Sequence, residues 1–343
     1  MPIFDSNAIQ SVVLHRVGNT TAQEGYVLSE RPLQLSQQLQ DTLAQYFISP
    51  FKAEEYFHLR QESDGVYDCA SDIFDNPDNI LDVSKKLATL LYDACTKPNI
   101  KGGDFFVVYF NQCQIMGKET DCIGLFKSEN KERFIKVLHE DENNFALETE
   151  TGISVNKLDK GALIFNMERD KGFVVSVVDI TNRGADAAYW RDQFLGLCQR
   201  EDEYFNTHSE LAAYKKFVTD ELPQQFEGVT KADQADMLNR SVKYFKQNEN
   251  FDVQSFANEV IEQPELIDSF KQFRNDWQRD NDVVLQDSFA INDEAVKKQQ
   301  RAFKSVIKLD KNFHIYVHGD RKLIEQGEDE KGKFYKVYYH EES

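Results

Sequence analysis

The chain has 343 residues and a formal net charge of −19, with 41% hydrophobic and 29% charged residues. This composition can bury a core, which excludes a largely disordered chain, and the acidic balance argues against indiscriminate binding to polyanions. The longest apolar run, Phe105–Phe110, is far shorter than the roughly 20 residues that cross a bilayer, so we expect no membrane segment.

The cysteine content and the first residues predict a cytoplasmic protein. Cys69, Cys95, Cys113, Cys122 and Cys198 are odd in number and form no C-x-x-C pair, which is typical of reduced thiols. The chain does not start with a basic segment followed by an apolar run. A secretion signal is therefore not expected.

Residues 1–200 are predicted to form an α+β domain, because strand patterns alternate with amphipathic helical patterns. A helix over 80–95 places Lys85 and Lys86 on its outer face and ends before Pro98, since the residue preceding proline resists the helical conformation. The other predicted elements are strands at Ile9–Val17, Gly25–Ser29, Phe105–Phe110, Cys122–Lys127, Arg133–Leu138, Phe145–Glu148 and Ile153–Val155, and a helix over Leu33–Phe47.

Two apolar runs, Leu163–Met167 and Phe173–Val178, flank a polar turn that ends in glycine and so predict a β-hairpin. The chain then breaks at Thr181–Asp186. Asp186 is suited to cap a following helix, whose aromatic residues, Trp190 among them, would pack against the sheet. We interpret the break as a structural corner and not as a reaction centre, because turn chemistry alone accounts for its Asn and Gly.

Residues 201–290 are predicted to be a helical region. Thr207-x-x-Glu210 and Thr230-x-x-Asp233 resemble capping boxes, and Pro264 suits the first turn of a further helix. Residues 291–343 predict a basic helix, from Asp293 to about Lys304, followed by an antiparallel meander. The predicted fold class is α+β: a mixed or antiparallel sheet with packed helices, a helical layer and a small C-terminal antiparallel β-meander.

The chain contains no phosphate-binding glycine loop, no nucleophile elbow and no H-E-x-x-H, so no catalytic residue, cofactor or metal ligand is predicted. One alternative stays open. Asp121, with Glu129-x-Lys131 at the end of the same strand and Asp104 beside it, has the residue types of a divalent-metal nuclease, in which carboxylates hold the cation and a lysine helps to activate water. We favour the interpretation that these charged residues are exposed to solvent at a strand end and bind no metal.

The segment from Val296 to Lys311 is strongly basic, with six cations and one anion. On a helix, four of its cations recur at spacings of four, three and four residues and would share one face. Such a row can follow a phosphate backbone. The predicted DNA contacts are Lys297, Lys298, Arg301, Lys304, Lys308 and Lys311, with Lys85 and Lys86 as a second-choice patch.

Four blocks, taken in order, resemble the bacterial nucleoid-associated protein family often called NdpA. They are KPNIKGGDFFVVYF, DCIGLFKSENKERFIKV, KLDKGALIFNMERDKGFVVSVVDITNRGADAAYWRDQFLGL and DEYFNTHSELAAYKKFV, and the likeness is strongest from Lys97 to Val218. The resemblance implies a non-enzymatic cytoplasmic protein that is associated with the nucleoid, through DNA, and it supplies no catalytic residue.

The acidic net charge leaves two routes to the nucleoid open, direct DNA binding and contact through another chromosome-bound protein. We expect DNA binding or organisation without sequence preference, through local basic patches. A protein-binding adaptor, acting through the helical region and the acidic surface, is the alternative beside the metal nuclease. Formation of a homo-oligomer is also left open, and no membrane partner is expected.

Overall fold

The structure is a computed structural model that describes residues 2–5, 8–52, 55–139, 144–180, 188–300, 303, 306–309, 312–317 and 323–341. The chain divides into two compact units, Met1–Arg200 and Glu201–Ser343. We refer to them as the N-terminal unit and the C-terminal unit.

Ten strands are described in the N-terminal unit, and eight of them form one antiparallel sheet in the order β10-β3-β9-β8-β5-β4-β1-β2. The remaining two, β6 and β7, pair with each other. The strands are β1 (Ile9–Val17), β2 (Tyr26–Val27), β3 (Phe57–Leu59), β4 (Gly103–Ile115), β5 (Lys118–Ser128), β6 (Glu132–His139), β7 (Phe145–Gly152), β8 (Lys160–Phe165), β9 (Val174–Asp179) and β10 (Leu197–Gln199).

Helices cover both faces of this sheet, as its apolar central strands require. Side chains of β4 alternate between two buried clusters, since successive residues of a strand point to opposite faces. Phe105 belongs to the cluster that contains Leu91, and Phe106 to the cluster that contains Phe47. The helical segments are α1 (Gln37–Ile48), α2 (Val66–Asp75), a 3₁₀ turn (Pro77–Asn79), α3 (Ile80–Ala94), a 3₁₀ turn (Arg169–Lys171) and a π-helical segment (Tyr189–Phe194).

The β8–β9 hairpin confirms the predicted pairing of the two apolar runs. Gly172, at φ +112°, ends its turn, and a Cβ there would clash with the carbonyl oxygen of Leu59. The backbone N–H of Leu59 in turn donates to the Gly172 carbonyl at 2.8 Å. A glycine is thus required where β3 approaches the turn.

The C-terminal unit has a mainly helical core with a cluster of buried aromatic side chains. The predicted capping box at Thr230 is confirmed, whereas the one at Thr207 is wrong. The helix there starts at its cap Asp202, and Thr207 and Glu210 are buried inside it. The elements are α4 (Glu203–Lys216), α5 (Leu222–Gln225), α6 (Lys231–Gln247), α7 (Val253–Phe256), α8 (Pro264–Asn281), α9 (Asp293–Gln300), π-helical segments Phe217–Glu221 and Ala257–Ile261, and a strand pair, β11 (Asn250–Asp252) and β12 (Ser288–Ala290).

The predicted α+β class is confirmed, with a correction at the C-terminal end. Among the described residues, the closing strands form two separate hairpins and not one continuous meander. The first pairs β13 (Val306–Leu309) with β14 (Phe313–Tyr316), and the second pairs β15 (Ile324–Asp329) with β16 (Gly332–Val337). The predicted strand at Ile153–Val155 is also absent from the described chain, and α2 and β3 had not been predicted.

Candidate nucleic-acid interface

Helix α9 presents part of the basic segment at the surface. Ala295 and Val296 are buried against the rest of the C-terminal unit, which leaves Lys297 and Lys298 exposed. The ammonium of Lys297 lies 2.6 Å from a carboxylate oxygen of Glu294, one helical turn earlier. The ammonium of Lys298 lies 5.5 Å from the ring centroid of Tyr204. Both side chains therefore have neighbours that partly satisfy their charge.

The predicted helical row of four cations is wrong, because α9 ends at Gln300 and Lys308 lies on a strand. In the β13–β14 hairpin Lys308 is paired with His314, and both are exposed. The alternate position, Ile307, is buried below them. The strand period therefore turns Lys308 outward. The remaining predicted contacts lie outside the described residues: Arg301, Lys304 and Lys311.

The second-choice patch on α3 is paired with carboxylates. The ammonium of Lys85 lies 2.9 Å from Asp82, and that of Lys86 lies 3.0 Å from Asp64. The hydrogen bond to Asp64 raises the pKa of Lys86. A phosphate would have to compete with these carboxylates, so the patch is a weaker anion site than the sequence alone indicates.

The structure separates Asp121 from the other proposed nuclease residues. Asp121 accepts a hydrogen bond from the Tyr109 hydroxyl at 2.8 Å. Glu129 lies eight residues farther along the chain, which corresponds to about 26 Å of extended strand. At the Glu129 end, the ammonium of Lys131 lies 2.9 Å from Asp104. Within the described part of the chain, no group of three or more His, Cys, Asp and Glu residues is placed to hold a metal ion.

A cluster of buried charges, which sequence reasoning missed, lies where β5 ends and β8 begins. Lys127 and Lys160 are both fully buried. The ammonium of Lys127 lies 3.1 Å from Glu129 and donates to the Tyr189 hydroxyl at 3.1 Å. The ammonium of Lys160 lies 2.7 Å from Asp179. We call these five residues the buried lysine cluster.

Tyr189 lies at the centre of the buried lysine cluster. The ammonium groups of Lys127 and Lys160 each lie 5.1 Å from its ring centroid, and its hydroxyl donates to Glu129. Burial, followed by the negative charge of Glu129, raises the pKa of Tyr189 far above its usual range, so the hydroxyl remains protonated. Buried charges are tolerated when they are paired in this way. The cluster has no exposure to solvent that would allow its lysines to reach a phosphate backbone.

The second and third of the blocks that carry the family resemblance meet at this cluster. Asp159, of the K-L-D-K-G block, accepts hydrogen bonds from the backbone N–H groups of Glu129 and Asn130 at 2.7 and 2.8 Å. Asp179 precedes the Thr181–Asp186 break and Tyr189 follows it. The break itself lies outside the described residues, so its interpretation as a structural corner stays a prediction. The sequence shows a lysine at one end of each of these two apolar strands, which could have indicated the cluster. Charged residues at strand ends were instead predicted to be exposed to solvent.

The comparisons with known proteins agree with the resemblance. Residues 13–333 match the family described as Nucleoid-associated protein YejK. No curated protein matches the chain. None of the described helices combines the length and the apolar character that a bilayer crossing demands. Because the family match spans nearly the whole chain, this protein belongs to the YejK family of nucleoid-associated proteins.

Proposed function

We propose that this protein binds DNA directly and without sequence preference, through the cations of the segment from Val296 to Lys311. Family membership supports nucleoid association. With a net charge of −19, direct contact with a polyanion needs a surface where cations dominate locally. This segment has the needed excess of cations, with six cations against one anion.

The observation that carries the proposal is the outer face of the β13–β14 hairpin. Lys308, His314 and Tyr316 are exposed and alternate with the inward positions of their strands. Lys308 has no ion pair with any residue in the described ranges. A lysine beside an aromatic side chain can contact a phosphate while the ring lies against sugar or base. A two-stranded ribbon also fits into a DNA groove.

The proposed contacts position DNA and do not read its sequence. Lysine side chains bind phosphates, and phosphate contacts carry no base information. Each contact releases condensed counterions, so affinity should fall with salt at a log–log slope of about −0.9 per contact on duplex DNA. Of the proposed contacts within the described residues, Lys297 and Lys298 lie on α9 and Lys308 lies on β13.

Fluorescence anisotropy with a short labelled duplex, titrated over a range of salt concentrations, tests the proposal. Replacing Lys297, Lys298 and Lys308 together by Gln should reduce the steepness of the slope by up to about 2.7, because up to three contacts are lost. The matched control replaces Lys85 and Lys86 by Gln and should leave the slope nearly unchanged.

Two results would contradict direct binding through this segment. The first is a folded triple variant with the affinity and salt slope of the unmodified protein. The second is an unmodified protein that binds no duplex at low salt, which would favour the adaptor alternative, in which another protein provides the contact with the chromosome. Circular dichroism of both variants establishes that they are folded.

A further inference from the structure

Strands β6 and β7 form an arm that lies outside the main sheet. They are inserted between β5 and β8, which are direct neighbours in that sheet, and they pair only with each other among the described strands. We call Glu132–His139 together with Phe145–Gly152 the β6–β7 arm. An isolated two-stranded hairpin is marginally stable in water, so an arm of this kind gains from a covering surface.

The register gives the arm two different faces. Directly paired residues share a face, and Ile135 pairs with Thr149, Val137 with Leu147, and His139 with Phe145. The rings of His139 and Phe145 lie 4.6 Å apart, as expected for neighbours on one face. We call the face that these pairs share the apolar face. Its large apolar side chains have high exposed fractions: Ile135 67%, Val137 58%, Phe145 61% and Leu147 70%.

The opposite face of the arm is charged. It carries Glu132, Lys136, Glu148 and Glu150 beside the apolar Phe134 and Leu138, and the ammonium of Lys136 lies 3.0 Å from Glu150. All three carboxylates of the two strands are therefore on this face, and the apolar face has none. Exposed apolar side chains that cluster on one face in this way mark a candidate interaction surface.

We infer that the apolar face of the β6–β7 arm packs against the same face of a second copy of the chain. Two copies of a chain with a net charge of −19 repel each other over most of their surfaces. Two copies of the apolar face can meet without burying a carboxylate. Each apolar face carries one Arg or Lys residue, Arg133, which lies near the end of the ribbon. A self-complementary patch of this kind forms a two-fold interface.

DNA fits this face less well than a second copy does. The two strands carry three carboxylates against two cations, Arg133 and Lys136, and only Arg133 is on the apolar face. Phosphates need a surplus of cations, which the arm lacks. Exposed isoleucine, valine and leucine side chains are instead stabilised by contact with other apolar side chains.

The size of the arm sets the expected strength of the interaction. Strands of eight residues are about 26 Å long, and two strands span about 10 Å, so facing ribbons would cover roughly 260 Å² of each copy. Stable dimers bury about 1,200–2,000 Å² in total. The arms alone therefore support a weak dimer that depends on protein concentration.

Sedimentation velocity of the full-length chain, from micromolar to sub-millimolar concentration, tests the inference. Val137→Thr with Leu147→Thr removes an apolar cross-strand pair and keeps residues that favour strands. The matched control, Lys136→Thr with Glu148→Thr, removes the adjacent pair on the charged face. We expect the dissociation constant to rise by about tenfold or more for the first variant, because apolar area is lost from the interface, and to change little for the second.

A second measurement does not depend on a loss of binding. Pyrene attached to Thr149→Cys, on the apolar face, should show excimer emission that increases with protein concentration, whereas pyrene on Glu148→Cys should not. Both are made with Cys198→Ser, since Cys198 is the one cysteine in the chain that is not buried. A monomer at all concentrations, a dimer unchanged by the apolar-face variant, or equal excimer emission from both labels would overturn the inference.

Discussion

The guanidinium of Arg274 lies 3.0 Å from the carboxylate of Glu210, and both side chains are buried in the C-terminal unit. Arg274 also lies 2.8 Å from Asp287 and donates to the carbonyl of Gln286 at 2.9 Å. One side chain of α8 thus joins α4 to the segment before β12. Burial raises the pKa of Glu210 to about 7, although the positive charge of Arg274 opposes this shift.

Breaking this buried pair should destabilise the C-terminal unit strongly. Arg274→Leu leaves the Glu210 carboxylate without its cation, and we expect the free energy of unfolding to fall by about 3–5 kcal/mol. The double variant with Glu210→Leu should lose less than the sum of the two single variants, because it leaves neither charge uncompensated. Urea denaturation measures all three. As a control, Arg279→Leu removes an exposed ion pair with Asp276 and should cost less than about 1 kcal/mol.

The buried His15 should make the N-terminal unit less stable in mild acid. Its Nδ1 accepts the backbone N–H of Ser29 at 3.1 Å and its Nε2 lies 2.9 Å from the Ser84 hydroxyl. Burial, followed by the positive charge of Lys85, lowers the pKa of His15 to about 4. Between pH 6.5 and about 4 the unfolded chain binds a proton that the folded chain does not, so the free energy of unfolding falls as the pH falls.

The measurement is urea denaturation of the unmodified protein and of His15→Asn over this pH window. The difference between the two should change by up to about 1.4 kcal/mol per pH unit. Asn can accept the Ser29 N–H in place of Nδ1 and does not titrate. Parallel pH profiles for the two proteins would show that His15 is not the responsible group.

Trp190 should be a major source of stability in the N-terminal unit. Its side chain is fully buried, and its ring centroid lies 5.1 Å from that of Phe194. We expect Trp190→Ala to lower the free energy of unfolding by roughly 3–5 kcal/mol, because it leaves a large cavity. Trp190→Phe retains most of the apolar volume and should cost clearly less. Equal losses in chemical denaturation would contradict this explanation.

Glu129 should support folding and not DNA cleavage. Its carboxylate is buried beside Lys127 and Tyr189, and Glu129→Gln would leave the Lys127 ammonium with less negative charge nearby. We expect this variant to lose about 3–5 kcal/mol of stability. Supercoiled plasmid incubated with Mg²⁺ or Mn²⁺ should remain uncut by the unmodified protein. Metal-dependent cutting that disappears in a folded Glu129→Gln variant would instead support the nuclease alternative.

Elements with a strong local pattern were predictable from the sequence. The α3 helix and the β4–β5 and β8–β9 pairs follow from apolar spacing and turn residues within one segment. The spacing of the cations predicted a helix at Lys308. This spacing does not show whether a neighbouring strand is present to pair with the segment, and β14 is such a strand. Here β13 obtains its hydrogen bonds from β14, and Ile307 packs in the core below.

The buried lysine cluster could not be derived from local patterns, because its partners are distant in the chain. Lys127 meets Tyr189, 62 residues later, and Lys160 meets Asp179, 19 residues later. A lysine at a strand end is usually solvated, and only the assembled sheet shows which lysines are enclosed. For the exposed cations, the sequence shows the positive charge but not the carboxylate that lies beside it in the fold. Asp64, which pairs with Lys86, is an example.

The position of β3 determines when the N-terminal unit can be completed during synthesis. Its neighbours in the sheet, β9 and β10, both come more than a hundred residues later in the chain. Phe57, His58 and Leu59 are buried in the finished sheet, so they remain without their strand partners until residues 174–199 have left the ribosome. A nascent chain stopped before that point would expose an apolar edge, which makes this interval the one in which binding by a chaperone would matter most.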